Sequence, residues 1–555
     1  MSPSPQQSRP ATSSSASSIS STVIEKSAIS GGSPVTAHSD NDLNDLPGAG
    51  LILPHRPMLS LVDHLSELFQ ENITAKVWRV AYESLPSTTP TREEDLLRKF
   101  PHAFPEYVPQ DGEAEANRYH LREAGFWTCG FFPGTLYELL DRTVRYPQSA
   151  TGFSSNARRR QQLLAMCQKW SEPLHAMAAR TDTHDIGFII MPALRQDWEL
   201  TGNTRSLDSI IKAAYSLASR YVSATGAIRS WDRMANKNTT ITDMATDVIV
   251  IIDSLCNLDL LFYAAAHSGD RHLADIAITH ARTLLSTHLR PESLEKVSKK
   301  EAEADARDIH RYHGQWYSTC HVACIDPATG LVKRRLTAQG YADGSTWARG
   351  QAWAILGYAQ TYMWTKDRVF LEAACGVAEY FLHRLETHSV SKNTSGGLNP
   401  YTSPPWDFDA PEEKPDEELD DRAQQTGQKV RVLRDSSSAC IAANGMLLLS
   451  QALNAERQRE LAARFLDAAL DLVRGTLDHS LAPEAARFAA EGDVNNEDLP
   501  RVEDVVEGQR FDAILKHGTA NNNANARRRY ANHGLVYGDY YLVKFGNQLL
   551  HMGLI

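Results

Sequence analysis

The chain has 555 residues, 42% of them apolar, and a formal charge of −11. That length can bury a large core, while the acidic balance speaks against a nucleic-acid binder, which presents a basic face. No apolar run approaches the roughly 18 residues needed to cross a bilayer. Seven cysteines, with no second close pair beside Cys320 and Cys324, read as reduced thiols rather than a disulfide framework or zinc site.

Residues 1–44 are rich in Ser, Thr and Pro and lack the apolar segment of a secretory signal. They read as a disordered tail on a cytoplasmic protein, followed by a single domain over 45–555. Strand-like alternation is sparse beyond the tail, so the expected class is all-α. Amphipathic helices are predicted over Met58–Ala81, Asn156–Ala179, Ser206–Ser223, Arg271–Leu289, Val369–Glu386 and Arg457–Leu477. More apolar helices alternate with them over Pro133–Val144, Ile186–Leu200, Met244–Ala266, Thr346–Trp364, Ser437–Leu453 and Asp539–Leu550. Short polar breaks beginning at Thr201, Ser268, Thr365 and Asn454 each separate an apolar helix from its amphipathic partner, as the turn of a helical hairpin does. Six hairpins with apolar helices inside suggest an (α/α)6 barrel. Their long, irregular spacing disfavours an open tetratricopeptide-like solenoid.

The long connections, 83–132, 290–345, 387–435 and 478–537, precede apolar helices, so the loops gather where the inner helices begin. The chemically distinctive residues fall there. Trp127 opens a Trp-Thr-Cys-Gly-Phe-Phe-Pro-Gly stretch containing Phe131, and Thr183-His184-Asp185 precedes the next apolar helix. Trp231 approaches the third, which is expected to carry Asp253 inside Val-Ile-Val-Ile-Ile-Asp-Ser-Leu. An aspartate in such apolar surroundings is either paired or holds its proton at raised pKa, as a general acid does. Asp185 fits an N-cap as well as a site carboxylate. His184 and His321 fit hydrogen-bonded core histidines as well as ligand contacts. Gln339-Gly-Tyr-Ala-Asp-Gly-Ser-Thr-Trp-Ala-Arg349-Gly-Gln-Ala-Trp353 places arginine and tryptophan at a helix start, which suits an anionic ring. Asp407 and Asp409, in a turn-like Pro-Pro-Trp-Asp-Phe-Asp, are expected to brace a loop.

Taken together, these motifs resemble glycoside hydrolase family 88, the unsaturated glucuronyl hydrolases. The likeness runs in order from about residue 120 through Asp435-Ser-Ser to Gly538-Asp-Tyr-Tyr. The family fold is an (α/α)6 barrel. Its members act on oligosaccharides ending in a 4,5-unsaturated uronic acid, hydrating the C4=C5 vinyl ether rather than attacking the anomeric carbon. The resemblance implies Asp253 as proton donor and water activator, with Asp185 assisting. It implies His184, His321, Gln339, Arg349 and His517 as polar contacts, and Phe131, Trp231 and Trp353 as the aromatic wall. It implies no metal and no cofactor, since protonation alone activates the alkene. Unsaturated oligosaccharides are then the expected partners, with no nucleic acid and no membrane.

Gly344 departs from the family pattern, and the stretches 290–310, 393–428 and 491–507 are longer than the family core. An unsaturated rhamnogalacturonyl hydrolase shares the fold and chemistry, and an inverting glycosidase would use two separated carboxylates. A non-catalytic helical scaffold would tolerate loss of Asp253.

Overall fold

The four hairpin breaks share one backbone signature. Gly202, Gly269, Lys366 and Arg457 have positive φ of 72°, 77°, 56° and 62°. Glycine adopts this conformation without a Cβ clash, whereas Lys366 and Arg457 hold it at a cost of about 1 kcal/mol. Asn203 and Asp270 then cap the following helices, accepting the backbone N–H groups of Arg205 and His272 at 3.2 and 3.0 Å. The computed structural model describes residues 65–85, 100–110, 116–149, 157–293, 310–390, 401–411, 433–489 and 499–555. The tail expected over 1–44, and much of 290–310, 393–428 and 491–507, lie outside the described residues.

Helices dominate: α1 (Glu71–Glu83), α2 (Phe131–Arg145), α3 (Ala157–Ser171), α4 (Ile186–Ile190), α5 (Gln196–Thr201), α6 (Thr204–Ala218) and α7 (Leu258–Ser268). They continue as α8 (Arg271–Thr287), α9 (Ala348–Thr365), α10 (Arg368–Val390), α11 (Ser436–Ala455), α12 (Arg459–Ser480) and α13 (Val536–His551). A π-helical turn, Met191–Arg195, joins α4 to α5. It contains Pro192, whose missing N–H and bulky ring do not fit a regular α-helical ladder. Helices α9, α11 and α13 are buried on most of their surface, as inner helices are, whereas α6 buries one stripe.

Contacts between the apolar helices run in sequence order. Helix α2 meets α5, α4 meets α7, α7 meets α9, α9 meets α11, α11 meets α13, and α13 meets α2. Five of them also pack on an amphipathic partner: α2 on α3, α4 on α6, α7 on α8, α9 on α10 and α11 on α12.

The helix predicted over Met244–Ala266 is not one helix. Its first part forms strand β3 (Val248–Ile251), followed by a 3-10 turn at Ile252–Asn257 and then α7. The β-branched run Val-Ile-Val-Ile is buried on both faces, so it shows no alternation to distinguish it from a buried helix. Strands β4 (Val322–Ile325) and β5 (Val332–Leu336) complete an antiparallel sheet in the order β5-β4-β3, with Val322 opposite Ile251. A second sheet joins β1 (Ala103–Val108), β2 (His120–Glu123) and β6 (Gly534–Leu535), with Tyr107 opposite Leu535. The all-α expectation therefore becomes a mainly helical chain whose small sheets lie in the long loops before the inner helices. Both sheets stiffen the end of the helix assembly where the motif residues cluster. All seven cysteines are buried and free, and no described helix is long and apolar enough to cross a membrane.

Candidate active site

Asp253 stands where β3 ends and the 3-10 turn begins, not within a helix. Neighbouring backbone is pinned on both sides of it. Ile252 donates its N–H to the His321 carbonyl at 3.0 Å, and Ile251 donates to Ser230 Oγ at 2.9 Å. Ser254 Oγ donates to the Ile251 carbonyl at 2.6 Å and lies 2.8 Å from Nε2 of His280. His280 accepts the Ile228 N–H at Nδ1, 2.9 Å away, so its proton sits on Nε2 and points at Ser254. Oδ1 of Asp253 is enclosed without a hydrogen-bond partner in the protein, while the residue as a whole stays partly exposed. Burial pushes its pKa up to about 7, and the charge of Asp185 adds to the rise against His184 and Arg349.

Asp185 sits at the start of α4 but does not cap it. Its Oδ2 accepts from Thr183 Oγ1 at 2.8 Å, and Nε2 of His184 lies 3.1 Å from Oδ1. That histidine contact is close in charge but not aligned as a hydrogen bond, since both ring nitrogens lack an aligned partner. Burial acts to raise the pKa of Asp185, yet His184, Thr183 and Arg180 together hold it below the usual value. The two carboxylates thus differ in protonation at neutral pH, which is how acid and base roles are divided within one site.

Arg349 lies in the first turn of α9 and is almost fully buried. Its Nη1 donates to Asp435 Oδ2 and the Thr519 carbonyl, both at 2.8 Å. Its Nη2 donates to the Ala520 carbonyl at 2.6 Å and to Gln339 Oε1 at 3.4 Å. The Nε–H remains unpaired, and the guanidinium lies 4.5 Å over the Trp347 ring. Expected as a contact for an anionic ring, the arginine is largely committed to Asp435 and the loop, leaving one N–H for a ligand. The loop leading to it is braced as expected. Asp407 accepts from Tyr341 N at 2.8 Å, Ser345 Oγ at 2.6 Å and Asp409 N at 2.9 Å, and Asp409 accepts from Thr346 N at 2.7 Å.

His321 is buried, and burial lowers its pKa to about 3, so it is neutral. Its Nδ1 accepts the Ala338 N–H at 3.2 Å, which leaves the proton on an unpaired Nε2. Trp347 and Trp231 flank the imidazole at 4.4 and 6.2 Å between ring centres. Asp253, His184, His321, Trp347, Arg349 and Trp353 all carry buried polar atoms with no partner in the protein. Such groups are rare in folded proteins, and their concentration on motif residues marks a surface built for a polar ligand.

Gln339 and Arg349 border a cavity of about 280 Å³ with Trp127, Tyr537, Tyr107 and Glu106. His184, Asp185, Trp231, Asp253 and His321 are not among the residues that border it, and neither Phe131 nor Trp353 lines it. Both are fully buried, Phe131 against Trp127, Phe188, Tyr537, Tyr540 and Tyr541, and Trp353 against Phe188 and Tyr541. They support the aromatic wall from behind. His517 is not brought to this cavity: its Nδ1 lies 3.3 Å from Ser480 Oγ, at the end of outer helix α12. The histidine nearer the cavity is His533, stacked at 4.7 Å on Tyr107. Glu106, Tyr107 and Tyr530 escaped sequence reasoning because β1 and the loop after His517 carry no distinctive motif. Burial raises the pKa of Glu106 to about 7, against the pull of Arg122 at 3.5 Å. Among the described residues no group of three or more His, Cys, Asp or Glu side chains could hold a metal ion.

No protein-family model matches the chain. It is 29% identical over 422 residues to an unsaturated glucuronyl hydrolase of Formosa agariphila, covering 75% of this chain and 78% of that protein. It is 27% identical over 385 residues to an unsaturated glucuronyl hydrolase of a Bacillus species, covering 69% and 80%. An unsaturated chondroitin disaccharide hydrolase of Streptococcus pyogenes is 29% identical over 304 residues, covering 54% of this chain and 65% of that protein. Among solved structures, an unsaturated glucuronyl hydrolase specific for heparin superposes with a TM-score of 0.56 at 24% identity, covering 89% of this chain and 99% of the other. The Bacillus enzyme's structure gives 0.57 at 24% identity, covering 88% and 97%. The structural likeness speaks for the fold, and the likeness read from the motifs is borne out by the curated relatives.

Proposed function

We propose that this chain, a relative of the unsaturated glucuronyl hydrolases, releases 4,5-unsaturated uronic acid from the non-reducing end of oligosaccharides made by polysaccharide lyases. The observation that carries this reading is the contrast between two neighbouring aspartates, Asp253 pushed up to about 7 and Asp185 held low. Asp253, which holds its proton up to about pH 7, donates it to C4 of the vinyl ether, and positive charge develops at C5 and the ring oxygen. The carboxylate left behind takes a proton from water as the water oxygen bonds to C5. The resulting hemiketal opens, and the neighbouring sugar leaves from C1. One water is consumed and Asp253 ends as it began. Asp185 stays ionised and keeps Asp253 from losing its proton early. The unpaired N–H groups of Arg349 and His321 serve the uronate carboxylate, with Gln339, His184 and the Trp231 ring completing the contacts.

The relatives' names have an unsaturated substrate in common, glucuronyl in two and a chondroitin disaccharide in one, so the terminal unsaturated uronate is the part of the substrate assigned here. The architecture we assign is a closed (α/α)6 barrel forming a single domain over 45–555. Supporting it are the neighbour-to-neighbour contacts of the apolar helices, from α2 round to α13 and back to α2.

Turnover in D2O tests the reaction. Hydration abolishes the ultraviolet absorbance of the conjugated alkene and places one deuterium at C4 of the product. Direct glycosidic hydrolysis would free the neighbouring sugar with the alkene absorbance and C4 unchanged, and the reading would fall.

A further inference from the structure

A larger cavity, about 450 Å³, is bordered by the last turns of α9 and reaches inward to Gly187, Phe188 and Cys256. The candidate active site is bordered by Arg349 in the first turn of α9, whereas this cavity is bordered by Gln360, Met363 and Trp364 near the end of the same helix. At 1.5 Å per residue, Arg349 and Gln360 are about 16 Å apart along the axis. Residues from α2, α4, α5, α7, α9, α11 and α13 all contribute to its wall.

The cavity is built for hydrogen bonding. Asn444 is fully buried in α11, and its Nδ2 donates to the Cys440 and Tyr541 carbonyls, each at 2.8 Å. Those two bonds fix the orientation of the amide, and the Oδ1 atom has no partner in the protein. Gln360 and Gln548, partly buried on neighbouring walls, likewise have unpaired enclosed amide oxygens. One cation, Lys544, spends one of its donors on Tyr540 at 3.3 Å. The other cation, Arg195, is engaged by Glu199 and Asp259 at 2.8 and 3.1 Å. Three carboxylates, Glu138, Glu199 and Asp259, border the cavity against these two cations, which disfavours an anion. Between these polar groups lie apolar surfaces of Phe188, Leu356, Leu448 and Tyr541.

We propose that this cavity is a second binding site, for an uncharged monosaccharide. A pyranose gives its hydroxyl protons to the three amide oxygens, accepts from Lys544, and lays its C–H face on the apolar walls. Volume and chemistry agree, since a buried acceptor such as Asn444 Oδ1 is costly to leave unmet. The inference does not depend on the reaction assigned to the candidate active site.

Titration calorimetry of the full chain with glucose and with N-acetylglucosamine, with glucuronate as the anionic control, tests it. Any glucuronate binding belongs to the candidate active site and should be lost in Trp127→Ala, whereas saturable binding of a neutral sugar is expected at this cavity. Gln360→Leu and Lys544→Met, each checked for an unchanged circular dichroism spectrum, should weaken binding about tenfold or more, the loss of one or two hydrogen bonds. Trp127→Ala, at the candidate active site, should leave it unchanged. Gln360 lies on the partly exposed wall, so that variant still reads the site if Lys544→Met fails to fold. No saturation with either sugar would mean that the cavity holds only water. Binding abolished by Trp127→Ala but retained in Gln360→Leu would place the sugar in the catalytic cavity. Either result overturns the proposal.

Discussion

Nε2 of His184 stands 3.1 Å from Oδ1 of Asp185, and the two residues precede inner helix α4, which packs against the 3-10 turn that carries Asp253. The histidine helps hold one carboxylate ionised beside another whose pKa burial raises. Removing the negative charge with Asp185→Asn should lower the pKa of Asp253. If Asp253 must be protonated to act, wild-type activity falls as pH rises through about 7. In Asp185→Asn the same fall should come at lower pH. A pH–rate profile of both proteins measures this, and an unmoved or raised limb would contradict it.

Asp253→Asn should cut kcat by about 10²-fold or more, the usual worth of a positioned general acid. The same change should stabilise the fold in a pH-dependent way. A folded pKa raised from 3.8 to about 7 means that the folded state binds the proton more tightly than the unfolded chain. Wild-type stability is therefore lost progressively as pH rises from about 4 to about 7, while the asparagine variant has no such term. The melting-temperature difference should favour the variant at pH 8 and shrink toward pH 4. A difference independent of pH would contradict the raised pKa.

Arg349 and Asp435 form a pair in which both side chains are nearly fully buried, 2.8 Å apart. Asp435→Ala leaves the guanidinium unpaired in the interior and should destabilise the protein by about 3–5 kcal/mol. Arg349→Ala should both lower the melting temperature and raise KM, because the arginine ties together the loops that form the cavity. A pure KM effect with an unchanged melting temperature would show that the pair carries no structural weight.

Asp407 acts at a distance from the chemistry. Asp407→Ala removes the acceptor for Tyr341 N, Ser345 Oγ and Asp409 N, and should cost about 1–3 kcal/mol while loosening the approach to Arg349. Protease cleavage between Gln339 and Trp347, mapped by mass spectrometry, should accelerate. Unaltered cleavage would remove Asp407 from its bracing role.

The helical hairpins were legible because their signals are local: a polar break, a left-handed residue at Gly202 or Gly269, and a capping Asn203 or Asp270. Asp253 was legible as an unusual carboxylate, but its setting was misread. Val248–Ile251 is buried on both faces, and a strand of that kind has no alternation to betray it. The pairing of Arg349 with Asp435 spans 86 positions, and no local pattern announces such a contact. The resemblance implied His517 as a contact, whereas the fold sets it beside Ser480 and brings His533 to Tyr107. Phe131 and Trp353 were read as faces of the site, and packing places both one layer behind it.

The most direct measurement is a ¹³C titration of the Asp253 carboxyl group, assigned by comparison with Asp253→Asn. A midpoint near 7 is the predicted result. A midpoint near the ordinary aspartate value of 3.8 would mean that the residue has no proton to give at neutral pH, and the assignment of Asp253 as the acid would be wrong.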